Sequence, residues 1–157
     1  MAAMLFWSVL AYLFISRTIL QSTEIVGVSM APRFQAGERE LIHRWRYLFA
    51  DPRRGDIVAV QLPGEDELMV KRIVGMPGER LAIRRGLVYV DREPLPEPYL
   101  PRNTVTWPGY LHGSAWRIAA DAYFVLGDNR RFSIDSRHFG AVPRSSIVGR
   151  IAPGPSP

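Results

Sequence analysis

From residue 25 onward the chain alternates short runs of β-branched and aromatic residues with turns carrying glycine and proline, and no segment of it shows a strong amphipathic helical period. Such a body cannot form a helical bundle or a series of βαβ units. It predicts a mainly β fold, an antiparallel sheet or partly open barrel. Candidate strands are Ile25–Val28, Arg39–Trp45, Ile57–Leu62, Leu68–Val74, Arg80–Ile83, Leu87–Val90, Ala122–Leu126 and Ile147–Ile151. Turn signals at Pro52-Arg53-Arg54-Gly55, Pro63-Gly64, Pro77-Gly78 and Arg85-Gly86 separate them. The proline-rich stretch within residues 91–121 reads as an irregular excursion or small subdomain, and 152–157 as a flexible tail.

The N-terminus is different. Met1 to Ser16 carries no charged side chain and only two serines, Ser8 and Ser16. Sixteen helical residues span roughly 24 Å, and continuing through Leu20 with Arg17 snorkelling to the headgroups reaches the ~30 Å of a hydrocarbon core. The expectation is a single transmembrane helix at 1–22, followed by a β-rich domain at 23–151. A cleavable leader fits less well, because no basic residue precedes Arg17 and Arg17-Thr18-Ile19-Leu20 offers no small-x-small site. Apart from Arg17 the arginines lie C-terminal to the span, where the positive-inside rule would keep them in the cytoplasm, so charge fixes the orientation poorly.

Composition excludes some chemistry. With no cysteine, thiol catalysis and thiolate metal sites are impossible, and three histidines without ligand spacing give no expectation of a metal. The net charge of +5 comes from 19 arginines and one lysine, Lys71, against 15 acidic residues. A chain that uses arginine wherever positive charge suffices has kept one amine, and an amine can lose its proton when buried whereas a guanidinium cannot.

Three segments concentrate chemistry. Gly27-Val28-Ser29-Met30-Ala31-Pro32 places a hydroxyl after a short strand. Leu68 to Gly78 reads as a strand with Met69, Lys71 and Ile73 on one face, so the Lys71 ammonium emerges among apolar neighbours that favour its neutral form. Gly127-Asp128-Asn129-Arg130-Arg131-Phe132-Ser133-Ile134-Asp135-Ser136-Arg137-His138-Phe139-Gly140 is dense in small polar residues and opposite charges, as a hydrogen-bonded loop bolting a site together would be.

In order and spacing, these boxes, together with Gly55-Asp56, resemble the bacterial type I signal peptidases over about residues 5–151. The resemblance implies a membrane-bound serine endopeptidase using a Ser/Lys dyad, which removes signal peptides from exported preproteins after small-x-small sites. Ser29 would be the nucleophile and Lys71 the general base, with Ser133 orienting the lysine amine. Asp128, Asp135, Arg137 and Arg72 would be structural ion-pair members that support the site. Ile25, Gly27, Met30, Phe34, Met69 and Val70 would line the substrate-binding surface. The Ser29 N–H would contribute to the oxyanion hole, and position 27, where some family members place a serine, is here glycine and offers no hydroxyl. Arg33 also departs from the family, standing where a small hydroxyl residue is usual.

The resemblance further implies preproteins and membrane lipid as partners, no cofactor, no nucleic acid, a monomer, and a catalytic domain on the outer side of the bacterial cytoplasmic membrane. His43 to Phe49, mixing cations with aromatics, suggests a segment touching the lipid interface. Two other readings are weighed beside it: a self-cleaving Ser/Lys repressor-type protease and a membrane-tethered basic β module without catalysis. The apolar N-terminus leaves no room for the DNA-binding domain the first requires.

Overall fold

The structure, a computed structural model, describes residues 4–8, 20–109 and 113–151. It is mainly β, with every paired strand antiparallel. The strands are β1 (Leu20–Glu24), β2 (Arg39–His43), β3 (Ile57–Val60), β4 (Met69–Gly75), β5 (Arg80–Arg84) and β6 (Leu87–Val90), followed by β7 (Glu93–Pro94), β8 (Ala115–Arg117), β9 (Ala122–Leu126), β10 (Val142–Pro143) and β11 (Ile147–Ile151). Two helices of four residues each, α1 (Arg46–Phe49) and α2 (Ser136–Phe139), interrupt them. A seven-stranded sheet runs β1-β2-β11-β3-β4-β9-β10 and a four-stranded sheet runs β7-β6-β5-β8. The larger sheet is open, since its end strands β1 and β10 do not pair with each other.

β4 is the organising strand. Six of its seven residues are buried, so both of its faces are covered. Ile25, Met30, Phe34, Ile42, Ile57, Ala59, Val70 and Ile151 form one apolar cluster. Val58, Val60, Ile73, Val125, Val142, Ile147 and the Tyr47 and Tyr123 rings form a second, and Val74, Leu81, Ile83, Phe124 and Leu126 belong to a third between the two sheets. Gly75 ends β4 where a Cβ would lie 2.3 Å from Ile118 Cδ1 and 2.9 Å from Phe124 Cβ. Only glycine lets the sheets close there.

The hairpin from β5 to β6 turns on Arg85-Gly86, both with positive φ (50° and 80°), the geometry of a two-residue primed turn matched to strand twist. The excursion expected over 91–121 is irregular from Leu95 to Gly109 but also supplies β7 and β8, which complete the smaller sheet.

Some boundaries depart from the sequence reading. The strand expected at Ile25–Val28 lies instead at Leu20–Glu24, paired with Arg39–His43. Gly27 takes φ +83° and carries the chain out of the ladder. Strand β2 stops at His43 because Arg46–Phe49 winds into α1. The anchor expected at 1–22 falls mostly outside the described residues: 4–8 are helical and Leu20–Ser22 belong to β1. Among the described residues no helix is long and apolar enough to cross a membrane. The tail at 152–157 also lies outside them.

Candidate active site

Ser29 sits in the turn that follows Gly27, and Lys71 sits in the middle of β4. The two side chains meet: Lys71 Nζ is 2.9 Å from Ser29 Oγ. Directly opposite Lys71 in the ladder is Val58. Lys71 is only 3% exposed, and burial pushes its pKa below the ordinary lysine value. The Asp135 carboxylate opposes that shift and the Arg137 guanidinium reinforces it. The shift is toward the neutral amine where it faces the hydroxyl, the direction that taking its proton requires.

The turn bearing Ser29 is held from across the chain. Asn129 N–H donates to the Ser29 carbonyl (2.9 Å), and Asn129 Nδ2 donates to the Val28 carbonyl (3.1 Å). Between them Gly127 leaves space, because a Cβ there would stand 2.5 Å from Ser29 O and 2.3 Å from Ser133 Oγ. No acceptor takes up the Ser29 N–H among the described residues.

Two ion pairs fix the loop that carries Asn129. Arg72, on β4 next to Lys71, makes a bidentate contact with Asp128 (2.8 and 2.5 Å), donates to the Gly55 carbonyl (3.0 Å), and stacks 4.1 Å over the Tyr99 ring. Asp135 pairs bidentately with Arg137 (both 2.8 Å), accepts the Gly127 N–H (3.0 Å), and caps α2 through the Arg137 N–H. Burial would raise the Asp135 pKa; the bonds and charge of Arg137 and the Gly127 N–H outweigh it and hold the carboxyl below its usual range.

A third buried arginine, Arg130, was not singled out from the sequence. It donates to the Gly127 carbonyl (3.0 Å), to Glu97 (3.0 and 2.5 Å) and to Thr106 Oγ1 (2.7 Å), tying the excursion to the same loop. Asn129 was also missed as a site residue. Its motif position was visible, but its contacts run to backbone atoms a hundred residues away.

Of the residues singled out, Ser29, Lys71, Asp128, Asp135, Arg137, Arg72 and Ser133 converge on this site. Ser133 Oγ is buried and has no hydrogen-bond partner among the described residues, so it does not hold the Lys71 amine in this arrangement. Ile25, Met30, Phe34 and Val70 are buried in one apolar cluster, with Met69 partly exposed at the start of β4. Gly27 is exposed and a Cβ there would touch nothing within 4 Å, so its glycine answers to the positive φ alone. Among the described residues no group of acidic and histidine side chains could hold a metal ion.

A serine hydroxyl against a buried, deprotonation-prone lysine on an antiparallel β scaffold has the chemistry of a base-activated serine hydrolase. Comparison with known proteins narrows that class. The family model described as signal peptidase, peptidase S26, matches residues 1–153. A signal peptidase I of Leptolyngbya laminosa is 35% identical over 151 residues, 91% of this chain and 72% of the relative. Signal peptidase I V of Bacillus subtilis (strain 168) is 31% identical over 154 residues, 92% of this chain and 91% of the relative. The crystal structure of a signal peptidase I from Enterococcus faecalis V583 superposes with a TM-score of 0.55 at 31% identity, covering 66% of this chain and 98% of that one. The chain belongs to the signal peptidase family, peptidase S26, and is a serine endopeptidase that cleaves signal peptides.

Proposed function

We propose that Ser29 and Lys71 form the catalytic dyad, and that the enzyme works at a bacterial cytoplasmic membrane with its catalytic domain on the outer side. The observation that carries the reading is the 2.9 Å contact between the Ser29 hydroxyl and an amine whose burial disfavours its charge.

Ser29 Oγ attacks the scissile carbonyl carbon while its proton passes to Lys71 Nζ. The tetrahedral oxyanion is met by the Ser29 N–H, and Gly27 contributes no hydroxyl to it. Collapse breaks the C–N bond as the Lys71 ammonium protonates the leaving amine, leaving an ester on Ser29. Lys71, neutral again, takes a proton from water, and the resulting attack frees the acid and restores the Ser29 hydroxyl. Ser133, with its hydroxyl unengaged, turns to the amine once the Ser29 proton has left it. Asp128, Arg72, Asp135 and Arg137 hold the loop and do not touch substrate.

The substrate lies as an added strand, with the Ile25, Gly27, Met30, Phe34, Met69 and Val70 surface accepting the small side chains one and three residues before the cut. Membrane lipid is the second partner. Support comes from the uncharged run at Met1 to Ser16, the exposed apolar side chains at Met4, Leu5, Phe6 and Trp7, and the exposed Leu48 and Phe49 of α1. The protein acts as a monomer without a cofactor or nucleic acid.

The test uses detergent-solubilised protein and a preprotein with an Ala-x-Ala site. Wild type cleaves after the second alanine, and Ser29→Ala loses on the order of 10⁴-fold or more in rate. Undiminished cleavage by Ser29→Ala would reject Ser29 as nucleophile.

A further inference from the structure

The smaller sheet carries a second feature that signal-peptide cleavage does not use. Arg80, Arg84, Arg85, Arg92 and Arg117 line a groove of about 690 Å³ together with Ala82, Tyr89 and Ala115. All five arginines are exposed, and none stands in an ion pair among the described residues. Of the acids next in sequence, Glu79 pairs with Arg54 and Asp91 accepts the backbone N–H of Arg80 (2.9 Å), while the exposed Glu93 beside Arg92 forms no ion pair among the described residues. The five arginines equal the chain's whole net charge of +5, leaving 15 basic residues against 15 acidic ones elsewhere. An arginine-rich composition accounts for how many guanidiniums there are, not for five of them meeting at one groove.

The register makes the cluster costly. Arg80 of β5 stands directly opposite Arg117 of β8, and Ala82 is flanked by Ala115 on one side and Tyr89 on the other. Like charges placed directly across a ladder repel, so the pair is a liability until an anion joins it. Arg84, two residues beyond Ala82 and so about 7 Å from it along the β5 backbone, is a third arginine on that face. Three forked donors around an alanine floor outnumber the two oxygens of a single carboxylate, whereas the oxygens of a tetrahedral phosphate bridge several guanidiniums at once.

We propose that this groove is a binding site for a phosphate-bearing ligand, seated over Ala82 between Arg80, Arg84 and Arg117, with Arg85 and Arg92 at its rim. The chemistry is that of an anionic phosphate mono- or diester, supplied by a soluble molecule or a lipid headgroup. The site is separate from Ser29 and Lys71, and the inference does not depend on their roles.

The test is site-resolved arginine modification of the full chain by phenylglyoxal, read by mass spectrometry. One arm adds pyrophosphate in neutral detergent. The other compares bilayers of phosphatidylcholine alone with bilayers containing phosphatidylglycerol. Binding slows modification of Arg80, Arg84 and Arg117 about tenfold when the probe reaches ten times its Kd, while exposed Arg53 and Arg131 react as before. Protection by pyrophosphate identifies a soluble ligand, and protection only by phosphatidylglycerol identifies a headgroup. The double variant Arg84→Gln, Arg117→Gln loses the protection left at Arg80 and still cleaves preprotein at the wild-type rate. No protection in either arm, or equal slowing of all arginines by sodium chloride of matched ionic strength, would overturn the proposal.

Discussion

Lys71 contributes by being an amine in a place that disfavours its charge. Burial lowers its pKa in the folded protein, so from that lowered value up to 10.5 the unfolded chain holds a proton that the folded chain does not. Stability must therefore rise with pH across that window. Lys71→Met removes this slope, and urea unfolding of both proteins at a series of pH values checks it; parallel curves would contradict it. For the same reason kcat/KM falls as pH drops through the lowered Lys71 pKa. Asn129 acts at one remove, through the Val28 and Ser29 carbonyls. Asn129→Ala lowers kcat about tenfold with KM unchanged and costs only about 1 kcal/mol of stability, measured by steady-state kinetics beside thermal melts. Ser29 and Lys71 were legible because one is a hydroxyl in a recognisable box and the other the sole amine in the chain. The unpartnered hydroxyl of Ser133 was not legible, since rotamer and contact follow from how Gly127 and Ser29 pack against it.

At the level of elements, the loop from Gly127 to Gly140 is a bracket in which α2 is the bolt head. Asp135 caps α2, accepts from Gly127 and neutralises Arg137, so one carboxylate serves three functions. Asp135→Ala leaves a buried guanidinium without its partner and costs roughly 3–5 kcal/mol, seen as a lowered denaturation midpoint with activity falling in parallel. Full stability with activity alone abolished would refute the structural assignment. Strands such as Leu87–Val90, Ala122–Leu126 and Ile147–Ile151 could be read from their sequence because β-branched runs end at turn residues. β1 could not: Leu-Gln-Ser-Thr-Glu has no apolar alternation and forms a strand only because Arg39–His43 offers it a ladder. The four-residue helices were equally hidden, being too short for any period.

At the scale of the whole molecule, the chain places its chemistry where β4 joins the larger sheet to the smaller. The sequence pattern announced β structure and a distinct excursion, but which strands the excursion would donate to a second sheet depended on pairings such as Leu81 with Trp116. The exposed Leu48 and Phe49 belong to this scale, because their surroundings matter only when a membrane is present. Leu48→Asp with Phe49→Asp lowers cleavage of a bilayer-embedded preprotein about tenfold or more and leaves cleavage of a soluble peptide unchanged. The most direct measurement for the account as a whole compares preprotein cleavage by wild type, Lys71→Ala and Lys71→Arg. Arginine keeps the charge and cannot become a base, so both variants should be equally inactive; an active Lys71→Arg enzyme would contradict the Ser29 and Lys71 mechanism.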